Sequence, residues 1–222
     1  MSEVFYMMWV TCHGNDKVVT MNSTASEVLR FWFGPAVGEP SAAKDRLRFW
    51  FTGSTMLDRE IQRRFGSLLG HPLPGALQSW NGDARECLAQ VIVLDQFSRN
   101  IFRGTAEAFA QDPIALQVAM SVLDSGSDGQ LQPLERAFLL MPFQHSESAE
   151  IQAVGVASYR RLLADGGQDW HEVVSEFLRS AREHESIVAR FGRFPHRNEI
   201  LGRISSPDEE RYLAAGARRF GQ

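Results

Sequence analysis

Apolar residues recur at three- and four-residue intervals through most of the chain, the spacing of side chains that share one face of an α-helix. Val173, Phe177, Ala181, His184, Val188 and Phe191 form one such row. Ala84, Leu88, Val91, Asp95, Ser98 and Phe102 form another, over a helix expected from Asp83 to about Phe102. Shorter elements follow from local punctuation. The segment VLRFWF after Ser26 and Glu27 is closed by Gly34 and Pro35, and Met56, Ile61 and Phe65 mark a helix from Thr55 to about Leu69, after which HPLPG reads as a loop. Asp112 is the expected N-cap of a helix with Pro113 in its first turn, ending near Gly126. Pro133 opens another, stopped near Met141–Pro142, and Ser146 is the expected cap of the helix that runs on to about Ala164. The long helix from about Trp170 is ended by Gly192 and Pro195, and Ser206-Pro207-Asp208-Glu209 carries a capping-box pattern for a last helix. No segment alternates as a strand does. The expectation is an all-α fold of about eight or nine antiparallel helices joined by short loops.

Each of the two strongest rows carries one titratable residue where an apolar one would be ordinary. An unpartnered buried carboxylate costs about 3–5 kcal/mol, so Asp95 calls for a cation or several donors, and Arg99 one turn on is the nearest. A buried His184 must satisfy both ring nitrogens, either on a backbone carbonyl or at a ligand. The stretch from Glu183 to Arg203, EHESIVARFGRFPHRNEILGR, then places Arg193, His196, Arg197 and Asn198 on or just after a turn between rigid elements, where binding groups are commonly held. His145 and Glu147 lie at a helix junction and Asn100 and Arg103 follow Arg99. If these segments meet, Arg99, Arg103, Arg190, Arg193, Arg197 and Arg203 surround a concavity suited to a carboxylate or phosphate. Arginines that only satisfy carboxylates and helix carbonyls explain the pattern equally well.

Composition narrows the classes. A formal charge of −4 and 44% hydrophobic residues suit a globular domain and argue against a nucleic-acid or membrane-surface binder. The basic residues are 21 arginines and two lysines, Lys17 and Lys44. Cys12 and Cys87 stand in no redox or metal spacing, which fits a reducing cytoplasm. Residues 1–20 fall outside the helical pattern and read as an N-terminal extension, with Met21 a natural start; residues 21–222 read as one helical domain. His171-Glu172 begins like a zinc-protease motif, but Ser175 stands where the second histidine belongs, and there is no GxSxG elbow, phosphate loop or dinucleotide fingerprint. His145, Glu147, His184 and His196 are acceptable metal ligands by type, without diagnostic spacing. The residues name no cofactor.

The runs DQFSRNIFRG (95–104), AFAQD (108–112), PFQHSE (142–147) and RFGRFPHRNEILGR (190–203) together resemble the bacterial domain-of-unknown-function family 924. The resemblance extends from about residue 28 to 220 and implies a TPR-like helical array. No activity comes with it. The family more often has methionine where this chain has Gln144. Two functions fit the residues. One is a site for a small anionic ligand, with acid–base catalysis by His184, Asp95, His145 and Glu147 and binding by Arg99, Asn100, Arg103, Arg193, His196, Arg197 and Asn198. The other is a helical scaffold that binds a peptide in a groove without catalysis.

Overall fold

The computed structural model describes residues 16–70, 77 and 79–217, with residues 16–23 described by backbone alone. Residues 1–15, most of the expected N-terminal extension, and the HPLPG loop lie outside the described residues. Every regular element among the described residues is helical. In chain order they are α1 (Asp16–Phe33), α2 (Pro40–Phe51), α3 (Thr55–Phe65), α4 (Ala84–Val91), a π-helical turn (Ile92–Phe97), α5 (Ser98–Ile101), α6 (Asp112–Asp124), α7 (Pro133–Leu139), α8 (Met141–His145), α9 (Ala149–Asp165), α10 (His171–Phe191) and α11 (Pro207–Ala214). None of these helices is long and apolar enough to cross a membrane.

The segment 84–101 is the axis of the molecule. Residues 88 to 98 are buried without interruption, so this helix is enclosed on all sides rather than along one stripe. α1 and α6 pack on α4, and α1, α3 and α6 all touch the π turn. The expected single helix from 83 to 102 is therefore divided: the Ser98 N–H bonds the Val93 carbonyl five residues back, which widens one turn and resets the direction of the side chains in it. Asp83 caps the helix, its carboxylate accepting the Glu86 N–H at 2.8 Å.

The two aromatic runs anchor α1 and α2 together. Trp32, Phe33 and Trp50 are buried, while Phe51 at the end of α2 stays 45% exposed. α1 ends at Gly34, whose φ of +54° suits a residue without a Cβ. The last carbonyls of α1 are taken by α2: Arg46 donates to Phe31 and Trp32, and the Trp50 indole donates to Trp32 at 3.0 Å.

On the other side, α9 and α10 share the most extensive interface and α8 lies against both. Gly155 of α9 lets α8 approach closely; a Cβ there would sit 2.8 Å from the Phe143 Cβ. Gln152 of α9 donates to the carbonyls of Gln144 and Ser146, fixing the end of α8. Two expected caps are corrected. Ser148, not Ser146, caps α9, and the Ser146 hydroxyl accepts the Ser148 N–H within the junction. Gln111, not Asp112, precedes α6, because the Asp112 carboxylate is held by arginines from elsewhere in the fold. The capping box at Ser206 and Glu209 and the left-handed Gly192 at the end of α10 agree with the sequence.

Candidate functional site

Asp95 has no solvent exposure. It projects from the π turn to meet His145 at the last position of α8, Asp95 Oδ1 lying 2.7 Å from His145 Nδ1. Arg99 approaches the same oxygen at 3.1 Å and also donates to the Asp95 carbonyl at 2.9 Å; Gln96 donates to Oδ2. Burial alone would raise the Asp95 carboxyl, but Arg99 and His145 outweigh it and hold the group below the usual carboxylate range. An ionised carboxylate only accepts, so His145 Nδ1 carries the proton and Nε2 is left as the basic nitrogen. Burial, with Arg99 beside it, lowers the pKa of His145 despite the nearby acid, which keeps the ring neutral.

His184 on α10 follows the same logic with a different partner. Its Nδ1 donates to the Ser180 carbonyl at 2.8 Å, which again assigns the lone pair to Nε2. Its ring stands 5.9 Å from that of His145 and 5.5 Å from that of Phe194. Burial and the neighbouring His145 put its pKa well below the ordinary value. The partner of Asp95 is therefore His145, with His184 facing the pair rather than touching the acid.

Both histidines line a cavity of about 480 Å3, a size in the range of small-molecule sites. Gln96, Arg99, Asn100, Arg103, Gln144 and Ser180 supply further polar lining, and Arg48, Glu176 and Arg179 join them. Leu47, Trp50, Phe51, Met141 and Phe177 give it an apolar side. Several of these groups are fixed by bonds of their own. Asn100 and Arg103 both hold Asp58 of α3, at 2.8 Å and 2.9 Å. Ser180 donates to Gln144 Oε1 at 3.0 Å, and Gln144 Nε2 reaches the Tyr159 hydroxyl at 3.3 Å. A polar chain thus joins α8, α9 and α10 behind the two histidines.

The other residues expected at the site lie outside the cavity lining. Glu147 takes two bonds from Arg203, at 2.7 and 3.0 Å, and one from the Phe194 N–H at 2.8 Å, so it fastens the segment after α10. Arg193 is bidentate on Glu209 of α11. Asn198 accepts from Arg203 and donates to Ser205. Arg190 lies over the Phe191 ring. His196 packs on Phe194 at 5.5 Å, and burial pushes its pKa down to about 4. Arg197 is pressed between Phe109 and Phe194, 4.5 Å from each ring centre, and reaches Asp112 at 3.4 Å. Burial brings its pKa to about 10. Among the described residues no three His, Cys, Asp or Glu side chains gather as a metal-ligand set.

Asp112, expected from the sequence as a helix cap, instead ties together arginines from two other segments. It binds Arg99 through two bonds, at 2.8 and 3.0 Å, and Arg197 through a third. Asp95, Arg99, Asp112 and Arg197 form an alternating line of largely buried charge that ends at the Asp95–His145 pair. The AFAQD run contained the signal, an acid close to the arginine-bearing motifs. Arg48, Phe51 and Arg179 gave none, since nothing in their spacing separates them from surface or core residues.

A family described as bacterial proteins of unknown function, DUF924, has a sequence model that matches residues 28–217. The chain belongs to this family. Among solved structures, the DUF924 chain is similar to a protein of unknown function, ATU0120, from Agrobacterium tumefaciens, with 33% identity and a TM-score of 0.71 over 88% of this chain and 99% of the other. No curated protein matches the sequence. The DUF924 match spans Asp95, Asp112, His145 and His184, so the dyad and the cavity wall lie within the family region.

Proposed function

We propose that the protein binds a small organic anion in the cavity and transfers a proton to or from it through the Asp95–His145 dyad. The observation that carries this reading is the 2.7 Å contact between a wholly buried carboxylate and an imidazole that lines a cavity of small-molecule size. Asp95 holds His145 in one tautomer and stabilises the imidazolium that forms when Nε2 takes a proton; the same division of labour operates in hydrolase triads. His184, with its lone pair also on Nε2, is placed to act as the second acid–base group. Ser180, the serine in the cavity lining, donates to Gln144, so in this reading the dyad serves a bound molecule or water. Arg48, which lines the cavity without a carboxylate partner among the described residues, favours an anionic ligand.

The test is turnover of pooled small carboxylates and phosphate esters in deuterated water, read by mass spectrometry as solvent exchange or product. The wild-type chain is expected to act on at least one compound, and His145→Gln to lower that rate by about 10²-fold or more. Undiminished turnover in His145→Gln would exclude the dyad as the proton-transfer group.

A further inference from the structure

The cavity has two kinds of wall. Arg99, Asn100 and Arg103 come from α5 and the residues just after it, and Asp58 of α3 ties the last two in place. The apolar side is built on α2 and α10. Phe51 meets Phe177 at 5.8 Å and lies parallel to Phe138 at 6.3 Å, and Phe138 meets both Trp50 and Phe177, at 4.8 and 5.2 Å. This ring cluster is held from several directions, yet Phe51 keeps 45% of its surface in solvent at the cavity. One turn before it stands Arg48, which also lines the cavity, is exposed, and among the described residues has no carboxylate partner. The other three lining arginines each have one: Asp95 and Asp112 for Arg99, Asp58 for Arg103, Glu176 for Arg179.

A bare oxyanion of five atoms would leave most of about 480 Å3 to water and would not use the rings. A purely apolar molecule would strand the polar wall without water. From these surfaces, and resting on the reading of the cavity as an anion site, we infer that its ligand is an amphipathic oxyanion: a carboxylate or phosphate head set by Arg48 and the α5 wall, joined to an apolar body that covers Phe51 and the Trp50–Phe177 shelf. The head lies within the polar side that also holds His145, so the bond that exchanges a proton is one near the head group. The apolar body supplies affinity through the area it removes from water, and the charged head supplies orientation.

The experiment is titration calorimetry of the full chain at pH 7 with butanoate, hexanoate and octanoate, with hexyl phosphate as the second head group. Succinate, inorganic phosphate and 1-octanol are the controls. Affinity is expected to rise about fourfold per methylene along the carboxylate series, the increment for burying one CH2. Arg48→Ala should weaken every amphipathic anion by about tenfold, and Phe51→Ala should flatten the dependence on chain length. Both side chains are solvent-exposed, so these variants are expected to fold. Either head group binding more tightly supports the class and identifies the head. Affinity without chain-length dependence, inorganic phosphate binding as tightly as octanoate, or 1-octanol matching octanoate would each overturn the inference. Turnover separates this from the catalytic reading: octanoate binding by the wild type without turnover of any anion removes only proton transfer, whereas turnover of a short polar anion without octanoate binding removes only the amphipathic ligand.

Discussion

A carboxylate that water never reaches is tolerable only where its neighbours answer its charge. Asp95 has Arg99, Gln96 and His145 around it, and each of those bonds is lost together if the group is removed. Asp95→Ala is expected to destabilise the fold by about 3–5 kcal/mol, because it leaves a nearly buried guanidinium without one of its two acids and an imidazole N–H without an acceptor. Urea unfolding with an unchanged slope would measure it; a loss below 1 kcal/mol would mean that the charge line does not bear on stability. The sequence exposes this residue because a polar side chain interrupts an apolar row. It also leads to a plausible but incomplete partner, since Arg99 is a neighbour in sequence while His145, fifty residues on, can be found only in the fold. Glu147 and Arg193 show the converse: they sit in conspicuous motifs and yet fasten loops, Glu147 to Arg203 and Arg193 to Glu209.

At the scale of elements, the site depends on two local departures from a regular helix. The π turn at Ile92–Phe97 sets the direction of Asp95, and the close crossing of α8 and α9 sets His145. Gly155→Ala tests the second. Its Cβ would lie 2.8 Å from the Phe143 Cβ, which is attached to backbone and has no free rotamer to retreat into, so α8 must shift. The expected cost is about 1–3 kcal/mol, together with reduced ligand affinity from a displaced His145; thermal unfolding and a binding isotherm check the two parts, and an unperturbed variant would show that the crossing is looser than described. The all-helical class, many boundaries and the punctuation at Pro133, Gly192 and Ser206 are legible in the sequence because periodicity, proline and glycine act locally. The π turn is not, because widening by one residue leaves the apolar pattern of LAQVIVLDQF intact when every side is buried. The Ser146 and Asp112 caps fail for a related reason, in that several polar residues stand near each helix start and tertiary partners decide which of them caps.

The whole molecule concentrates three histidines on one flank, each with a pKa below the ordinary 6.5 and each chiefly through burial. The unfolded chain takes up protons in this range that the native state refuses. Stability is therefore unaffected by these groups above about pH 6.5 and falls as the pH drops toward about 4, the value to which His196 is pushed. At lower pH the depressed carboxyls of Asp95 and Glu147 add to the loss. Thermal midpoints should decline steadily from pH 7 to 4, with His196→Gln flattening the decline; a level profile would contradict the burial of the three rings. The family likeness covers the same flank, and the all-helical fold that the resemblance implied is the fold observed. The most direct test of the dyad itself is a long-range proton–nitrogen correlation spectrum of the histidine rings at pH 7. His145 should appear as the neutral form protonated on Nδ1, with Nε2 bare; a signal protonated on Nε2, or on both nitrogens, would contradict a base held by Asp95 and presented to the cavity.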